Sequence, residues 1–209
     1  MSPDHDPRLT SPATARNRDA ILGVLRTHLG AGAKVLEIAS GAGEHAAYFA
    51  ARLTAPIWQP SDPNPVARAS IAGWTAGNAN VLAPLDLDVQ DWRWWQAVPD
   101  PPFDALIAIN LIHIAPWAAT EGLMAGAARL LGPAGCLILY GPFRRDGRHT
   151  APSNAAFDRD LRGTDPNWGI RDLADVARLA AKSAMILAQA VAMPANNLTV
   201  VFQRQERAP

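Results

Sequence analysis

The stretch from Val35 to Ala46 constrains the fold of this chain more than any other part of the sequence. It begins as a short, mostly apolar segment, passes through a turn containing Gly41 and Gly43, and continues into residues typical of a helix. Glycine adopts positive φ angles without strain, and its missing side chain lets a ligand approach the backbone. A strand, a tight turn and a helix with free N–H groups form a cradle for a nucleotide-containing cofactor. The sequence therefore predicts such a cradle here.

Strand-like and helix-like segments alternate along the rest of the chain. The predicted strands are residues 34–39, 56–60, 81–87, 103–109, 135–140, 184–193 and 198–204. The predicted helices include residues 13–29, 44–53 and 65–75, with further helical segments ending near 131 and lying between 153 and 181. This order predicts an α/β fold with a seven-stranded, mostly parallel sheet, helices on both faces and a final antiparallel hairpin.

The length of 209 residues suits a single domain over 1–209. Residues 1–12 are rich in proline and charge, which predicts a loose N-terminal lead-in. Residues 141–170 combine glycine, proline and charged residues, and we predict that they form a lid on the substrate side.

Composition excludes several classes of protein. A formal net charge of zero and a hydrophobic content of 49% predict a folded globular protein with no nucleic-acid partner. The single cysteine and the spacing of the histidines give no reason to expect a metal site. No apolar run has the length of a membrane span, and the N-terminal residues lack the apolar part of a signal peptide. We therefore expect a cytoplasmic protein that acts on a small molecule.

The cofactor pattern alone leaves two choices open. Residues 41–46 satisfy G-x-G-x-x-A, and Asp62 follows at the distance of a ribose-binding acid. This pattern fits NAD as well as S-adenosylmethionine (SAM). Glu37 favours SAM, because its carboxylate would repel a pyrophosphate but attract the ammonium group of a methionine tail. The helix before the first strand and the pair of strands at the end of the chain favour SAM as well.

The motif Val-Leu-Glu-Ile-Ala-Ser-Gly-Ala-Gly resembles the first motif of the Rossmann-like SAM-dependent methyltransferases. Over nearly its whole length the chain also resembles the DUF938 family of methyltransferase-like proteins, which includes methyltransferase-like protein 26. The stretches that carry this resemblance are residues 15–18, 60–62, 87–89, 109–113, 140–143, 153–154, 168–171 and 193–197. One departure is Ala39, which stands where the methyltransferase motif usually has its first glycine. We expect its small methyl group to be tolerated.

The resemblance implies a set of cofactor contacts. Glu37, Ala39, Gly41 and Gly43 would surround the methionine moiety, and Asp62 would accept hydrogen bonds from both ribose hydroxyls. Further contacts implied by the family are those of Asp88 and Val89 with adenine and those of Asn110 and Leu111 below the sulfonium. Asp86 competes with Asp88 for the adenine role.

Catalytic and substrate residues are predicted from residue type and position. His113 is the one histidine expected at the carboxyl end of a strand above the cofactor, and its ordinary pKa near 6.5 suits a general base. A structural histidine is the alternative, and Tyr140 is the second catalytic candidate. Arginines and amides suggest a small polar or anionic acceptor. The predicted substrate residues are Asn17, Arg18, Phe143, Arg144, Asn154 and Asn197.

The sequence therefore predicts a SAM-dependent methyltransferase with a small polar acceptor. Two alternatives remain open at this point. One is an NAD-dependent oxidoreductase of similar architecture, and the other is a protein that binds SAM without catalysing a reaction.

Overall fold

The computed structural model describes residues 6–54 and 56–205. The chain divides into two compact units, residues 1–88 and 89–209, which are described separately below. The prediction of a single domain over 1–209 stays a prediction. Within the described ranges, no helix is long and apolar enough to cross a membrane.

The first unit contains two parallel strands and three helices. Its elements are α1 (Pro12–His28), β1 (Lys34–Ile38), α2 (Glu44–Ala50), β2 (Ile57–Pro60) and α3 (Pro65–Thr75). Strands β1 and β2 pair in parallel, with Val35 opposite Trp58. Helix α3 begins where the sequence predicts it, because Asn64 accepts a hydrogen bond from the Val66 N–H at 2.9 Å and Pro65 suits the first helical position.

Residues 6–11 are not the loose lead-in that was predicted. The Leu9 N–H donates to Ser70 Oγ at 2.8 Å, and the Trp74 indole N–H donates to the Leu9 carbonyl at 2.7 Å. The Ser11 N–H donates to a Glu44 carboxylate oxygen at 2.5 Å. These bonds join the segment to α2 and α3. The rest of the predicted lead-in before it, residues 1–5, lies outside the described residues.

The predicted strand at residues 81–87 is wrong. This segment forms only two isolated parallel bridges, Trp58 with Val81 and Ser61 with Leu85. Pro84 lies between the bridged residues and has no N–H to donate to a ladder, so continuous pairing fails there. Apart from one small hairpin, the described residues therefore form six strands in place of the predicted seven.

The second unit carries the other strands. Its elements are β3 (Phe103–Ile109), α4 (Trp117–Leu130), β4 (Leu131–Pro142), β5 (Arg144–Arg145), β6 (Arg148–His149), α5 (Pro152–Thr164), α6 (Leu173–Lys182), β7 (Met185–Met193) and β8 (Asn197–Arg204). Strand β3 pairs with β4 in parallel, and β4, β8 and β7 follow in antiparallel order. The predicted mixed α/β class with mostly parallel strands and a C-terminal antiparallel hairpin is confirmed.

Helix α4 contains two glycines that let another segment pack closely against it. A Cβ atom at Gly122 would lie 1.8 Å from the Val89 carbonyl oxygen, and one at Gly126 would lie 2.0 Å from the Trp94 ring. The Trp94 indole N–H donates to the Gly122 carbonyl at 2.9 Å. Trp94 is thus a packing residue, whereas the neighbouring Trp92 is 80% exposed.

Residues 141–149, the first part of the predicted lid, contain regular secondary structure. They contain the end of β4 and the β5–β6 hairpin, in which Arg144 pairs with His149. Helix α5 follows directly. Closure of residues 141–170 as a lid stays a prediction.

Candidate cofactor and active site

The turn after β1 contains two glycines, Gly41 and Gly43, that differ in the space around their Cα atoms. Gly41 has a φ of 57°, and a Cβ atom there would meet no atom within 4 Å. Gly43 has a φ of 89°, and a Cβ atom there would lie 2.6 Å from the Cα atom of Ile71 in α3. The backbone at Gly41 therefore borders open space that a ligand can use, whereas Gly43 is needed for packing.

Ala39 occupies the position at which the sequence departs from the methyltransferase motif. Its φ is 53°, in the left-handed region where glycine is favoured. A Cβ atom in this conformation costs about 1–2 kcal/mol. Ala39 therefore adopts the backbone conformation that glycine favours. Because alanine has a Cβ atom, this conformation strains the backbone.

Glu37 is a buried carboxyl group at the end of β1. Its side chain is 1% exposed, and one carboxylate oxygen accepts a hydrogen bond from the Trp58 indole N–H at 2.9 Å. Burial raises the pKa of Glu37 to about 7, against the opposing effect of the hydrogen bonds from Trp58 and Ser40, and the charge of Asp62 raises it further. Among the described residues, no Lys, Arg or His forms an ion pair with it. Glu37 is therefore a buried acid that lacks a cation.

Asp62 follows β2 and organises the glycine turn. One of its carboxylate oxygens accepts from the Gly41 N–H at 3.0 Å, and the other accepts from the Asn64 N–H at 2.9 Å. Each oxygen keeps a further lone pair, so both can still accept a hydroxyl hydrogen. The structure thus brings together two predicted cofactor residues, Asp62 and Gly41.

The two competing acids near the end of the first unit differ in their surroundings. Asp86 forms an ion pair with Arg68 at 2.9 Å and is mostly exposed. Asp88 is half-buried and follows the buried Leu87. The ion pair gives Asp86 a structural role. The assignment of Asp88 to the adenine stays a prediction.

The predicted substrate residues of α1 lie beside α2. Asn17 is buried, and its side-chain oxygen lies 2.8 Å from His45 Nε2. The guanidinium of Arg18 lies 4.5 Å from the centre of the Tyr48 ring, and its Nε atom is buried without a hydrogen-bond partner among the residues that the structure describes. Burial lowers the pKa of His45 to about 4, and the charge of Arg18 adds to this effect. His45 is therefore neutral at pH 7.

In the second unit, Asn110 and His113 follow the carboxyl end of β3. Asn110 has a φ of 57°, and its N–H donates to the Tyr140 carbonyl at 2.8 Å. His113 is buried, and its Nδ1 atom has no hydrogen-bond partner in the described part of the chain. A Cβ atom at Gly141 would lie 3.0 Å from the imidazole, so this glycine leaves space for the ring. Burial lowers the pKa of His113 to about 4, with a further contribution from the charge of Arg171.

The remaining predicted residues of the second unit fall into separate groups. The Asn197 side-chain N–H donates to the Tyr140 hydroxyl at 3.0 Å, which links the ends of β4 and β8. The Asn154 side-chain N–H groups donate to Thr150 Oγ1 and to the Asn196 carbonyl, both at 3.0 Å. The other three differ in exposure: Val89 and Phe143 are buried, whereas Leu111 is half-buried. Phe143 is 1% exposed and forms part of the hydrophobic core.

Sequence reasoning gave no role to two charged residues that organise this unit. Arg171 donates to the carbonyls of Ile112 and Ala115 at 2.9 and 2.6 Å, and so supports the segment around His113. Asp158 accepts from the Ile170 N–H at 2.5 Å and from Arg162 Nε at 3.2 Å. Arg171 lies in one of the stretches that carry the family resemblance, which is the signal that could have singled it out.

Three solved methyltransferase structures are similar to this chain. An O-methyltransferase family protein from Burkholderia thailandensis is 16% identical, with 94% of this chain and 58% of that chain covered and a TM-score of 0.76. The N-methyltransferase NodS from Bradyrhizobium japonicum is 17% identical, and the match covers 95% of this chain and 100% of that chain with a TM-score of 0.67. A TehB-like SAM-dependent methyltransferase from Corynebacterium glutamicum is 15% identical, and the match covers 90% of this chain and 88% of that chain with a TM-score of 0.63.

These similarities show that the chain has the Rossmann-like fold of SAM-dependent methyltransferases. The chain spans only 58% of the Burkholderia protein, so that protein contains segments without a counterpart here. A family model described as "Protein of unknown function (DUF938)" matches residues 8–204. Because this match covers nearly the whole chain and agrees with the motifs in the sequence, the chain belongs to the DUF938 family.

Proposed function

We propose that this protein is a SAM-dependent methyltransferase that acts on a small polar acceptor. The observation that carries the proposal is Glu37, a buried carboxyl group without a cation next to a glycine turn. A buried carboxylate is costly unless it is paired, and the ammonium group of a methionine tail would supply the missing positive charge. The fold of the solved methyltransferases supports the same conclusion.

The described residues of the first unit fit this cofactor. Glu37 would pair with the ammonium group, and the open space at Gly41 would admit the methionine backbone. Asp62 is fixed by two backbone N–H groups and keeps lone pairs for two ribose hydroxyls. When bound, SAM supplies a methyl group made electrophilic by its sulfonium. The roles of Asp88, Val89, Asn110 and Leu111 remain part of the proposal.

His113 remains the first candidate for the general base. Its imidazole is neutral at pH 7 because its pKa is lowered to about 4, and a neutral ring with an unpartnered Nδ1 can accept a proton. A base with so low a pKa is weak, so it suits an acceptor whose own proton is acidic. Tyr140 is the second candidate, with its hydroxyl held by Asn197.

Calorimetric titration of the full chain with SAM and with NAD tests the proposal. We expect SAM to bind, and Glu37→Gln and Asp62→Asn to weaken its binding about tenfold or more, since each removes a charged partner. The exposed Asp160 provides a matched control, and Asp160→Asn should leave the affinity unchanged. Tight binding of NAD without any response to SAM would contradict the proposal and favour the oxidoreductase.

A second measurement addresses turnover. Incubation with SAM and pools of small polar metabolites should release S-adenosylhomocysteine, and His113→Gln should lower kcat with little change in KM. Binding of SAM with no product from any pool would favour the alternative of a SAM-binding protein without catalysis.

A further inference from the structure

A cavity of about 420 Å³ in the second unit has a predominantly basic lining. Its basic residues are Arg144, Arg162, Arg171, Arg178 and Lys182. Its acidic residues are Glu121, Asp172 and Asp175. The lining therefore carries two more positive than negative charges, and the ring of Trp117 forms part of the wall. The volume is sufficient for a small organic ligand.

Two of the three acids in the lining are engaged in contacts that leave the central arginines uncompensated. Asp172 is buried, and its oxygens accept from the Gly147 N–H at 2.7 Å and the Ala174 N–H at 2.9 Å, which caps α6. Asp175 forms an ion pair with Arg178 on the same helix. Neither Arg144 nor Arg171 has a carboxylate within 4 Å in the described part of the chain.

Arg144 and Arg171 are neighbours in the fold, since the Arg144 N–H donates to the Arg171 carbonyl at 2.9 Å, and within the described residues neither guanidinium forms an ion pair. Among the residues that the structure describes, Arg171 donates only to neutral carbonyls, those of Ile112, Ala115 and Asn167. The Nε atom of Arg144 is buried and, within the described residues, has no hydrogen-bond partner. Burial lowers the pKa of Arg171, and the charges of Arg162 and Arg144 lower it further against the opposing charge of Asp158. The arginines therefore repel one another, and a bound anion would relieve this repulsion.

We propose that this cavity binds a small organic anion, a carboxylate or phosphate monoester attached to a planar apolar group. Arg144 and Arg171 contact the anion, because guanidinium groups form charge-assisted hydrogen bonds with carboxylate and phosphate oxygens. Arg171 does so through Nη1, since its Nε and Nη2 already donate to backbone carbonyls. Trp117 contacts the planar group. Its ring is half-buried in the wall, and the Arg171 guanidinium lies 5.8 Å from the ring centre. This site does not depend on the proposed methyl transfer.

Calorimetric titration of the full chain with phenyl phosphate, benzoate, inorganic phosphate and benzyl alcohol tests the site. We expect at least one aromatic anion to bind more tightly than inorganic phosphate, and the neutral alcohol not to bind. The order of phenyl phosphate and benzoate distinguishes a phosphate ligand from a carboxylate. Equal affinity for inorganic phosphate and both aromatic anions would overturn the role of the planar group, and binding of none would overturn the site.

Two variants connect the binding to the named residues. Arg144→Gln should weaken the aromatic anion about tenfold or more. Arg159→Gln removes an exposed charge of α5 that does not line the cavity, so the affinity should not change. Because Arg144→Gln removes repulsion, it should raise the melting temperature of the protein without ligand and reduce the further rise caused by the anion. Equal binding by wild type and Arg144→Gln would overturn the proposal.

Discussion

The effect of Glu37→Gln on stability at different pH values is the most direct test of the candidate site. Burial raises the pKa of Glu37 from its ordinary value of 4.5 to about 7. An acid with a higher pKa in the folded state favours folding when protonated. Its contribution is therefore complete below pH 4.5 and is lost as the pH rises through about 7. The loss amounts to about 3 kcal/mol, because each tenfold change in proton affinity is worth about 1.4 kcal/mol.

Glutamine carries no charge and keeps an oxygen that can accept the Trp58 N–H. The free energy of unfolding of Glu37→Gln, relative to wild type, should therefore rise by about 3 kcal/mol between about pH 4.5 and about pH 8. The buried amide N–H groups add a cost that does not vary with pH, so the test is the change with pH. Urea unfolding followed by tryptophan fluorescence measures it.

Glu121→Gln is the matched control, since Glu121 is exposed. It should show no comparable gain with rising pH. A second comparison adds SAM to the wild type, where the ammonium group should favour the carboxylate and reduce the loss of stability above pH 7. If Glu37→Gln differed from wild type by the same amount at every pH, the assignment of Glu37 as a buried acid without a cation would be refuted.

Three other changes test the packing around the two candidate sites by urea unfolding. Ala39→Gly should raise the free energy of unfolding by about 0.5–1 kcal/mol, since it removes left-handed strain at the cost of chain entropy, whereas Ala39→Val should lower it. Gly126→Ala should lower it by about 2 kcal/mol or more because of contact with Trp94, while Gly23→Ala, with open space at the Cβ position, should not lower it. Asp158→Ala should cost about 2 kcal/mol at neutral pH. Because the pKa of Asp158 is lowered in the folded protein, this difference should become smaller as the pH falls below about 4.

Much of the fold could be predicted because apolar runs and turn residues mark it. The mostly apolar segment 103–109 coincides with β3, and the Asn64–Pro65 pair marks the start of α3. The predicted strand 135–140 is shorter than β4, which begins at Leu131 and includes Gly132 and Pro133. These two residues lie at a register shift in the pairing of β4 with β3. A local pattern does not reveal a partner strand that tolerates such an irregularity.

The candidate site was predictable in its residue types but not in its contacts. The positions of Gly41 and Asp62 indicated a shared role, and they form a hydrogen bond. The prediction that Phe143 and Arg144 share one substrate surface stays a prediction, but the two side chains differ in burial, because adjacent residues point in different directions along an extended chain. Phe143 is in the core, whereas Arg144 lines the basic cavity.

Two residues at the end of β1 and just after it, Glu37 and Ala39, have energetically unfavourable environments or conformations. Ala39 adopts a conformation that favours glycine, and Glu37 buries an acid with a pKa of about 7 and no cation. Each feature reduces stability, so packing alone gives no reason for either. Such local conflicts concentrate at binding sites, where a ligand supplies the missing interaction. An ammonium group beside Glu37 would offset the larger of the two costs, whereas a phosphate would increase it. The electrostatics of this turn therefore favour a cationic amino-acid tail over a dinucleotide.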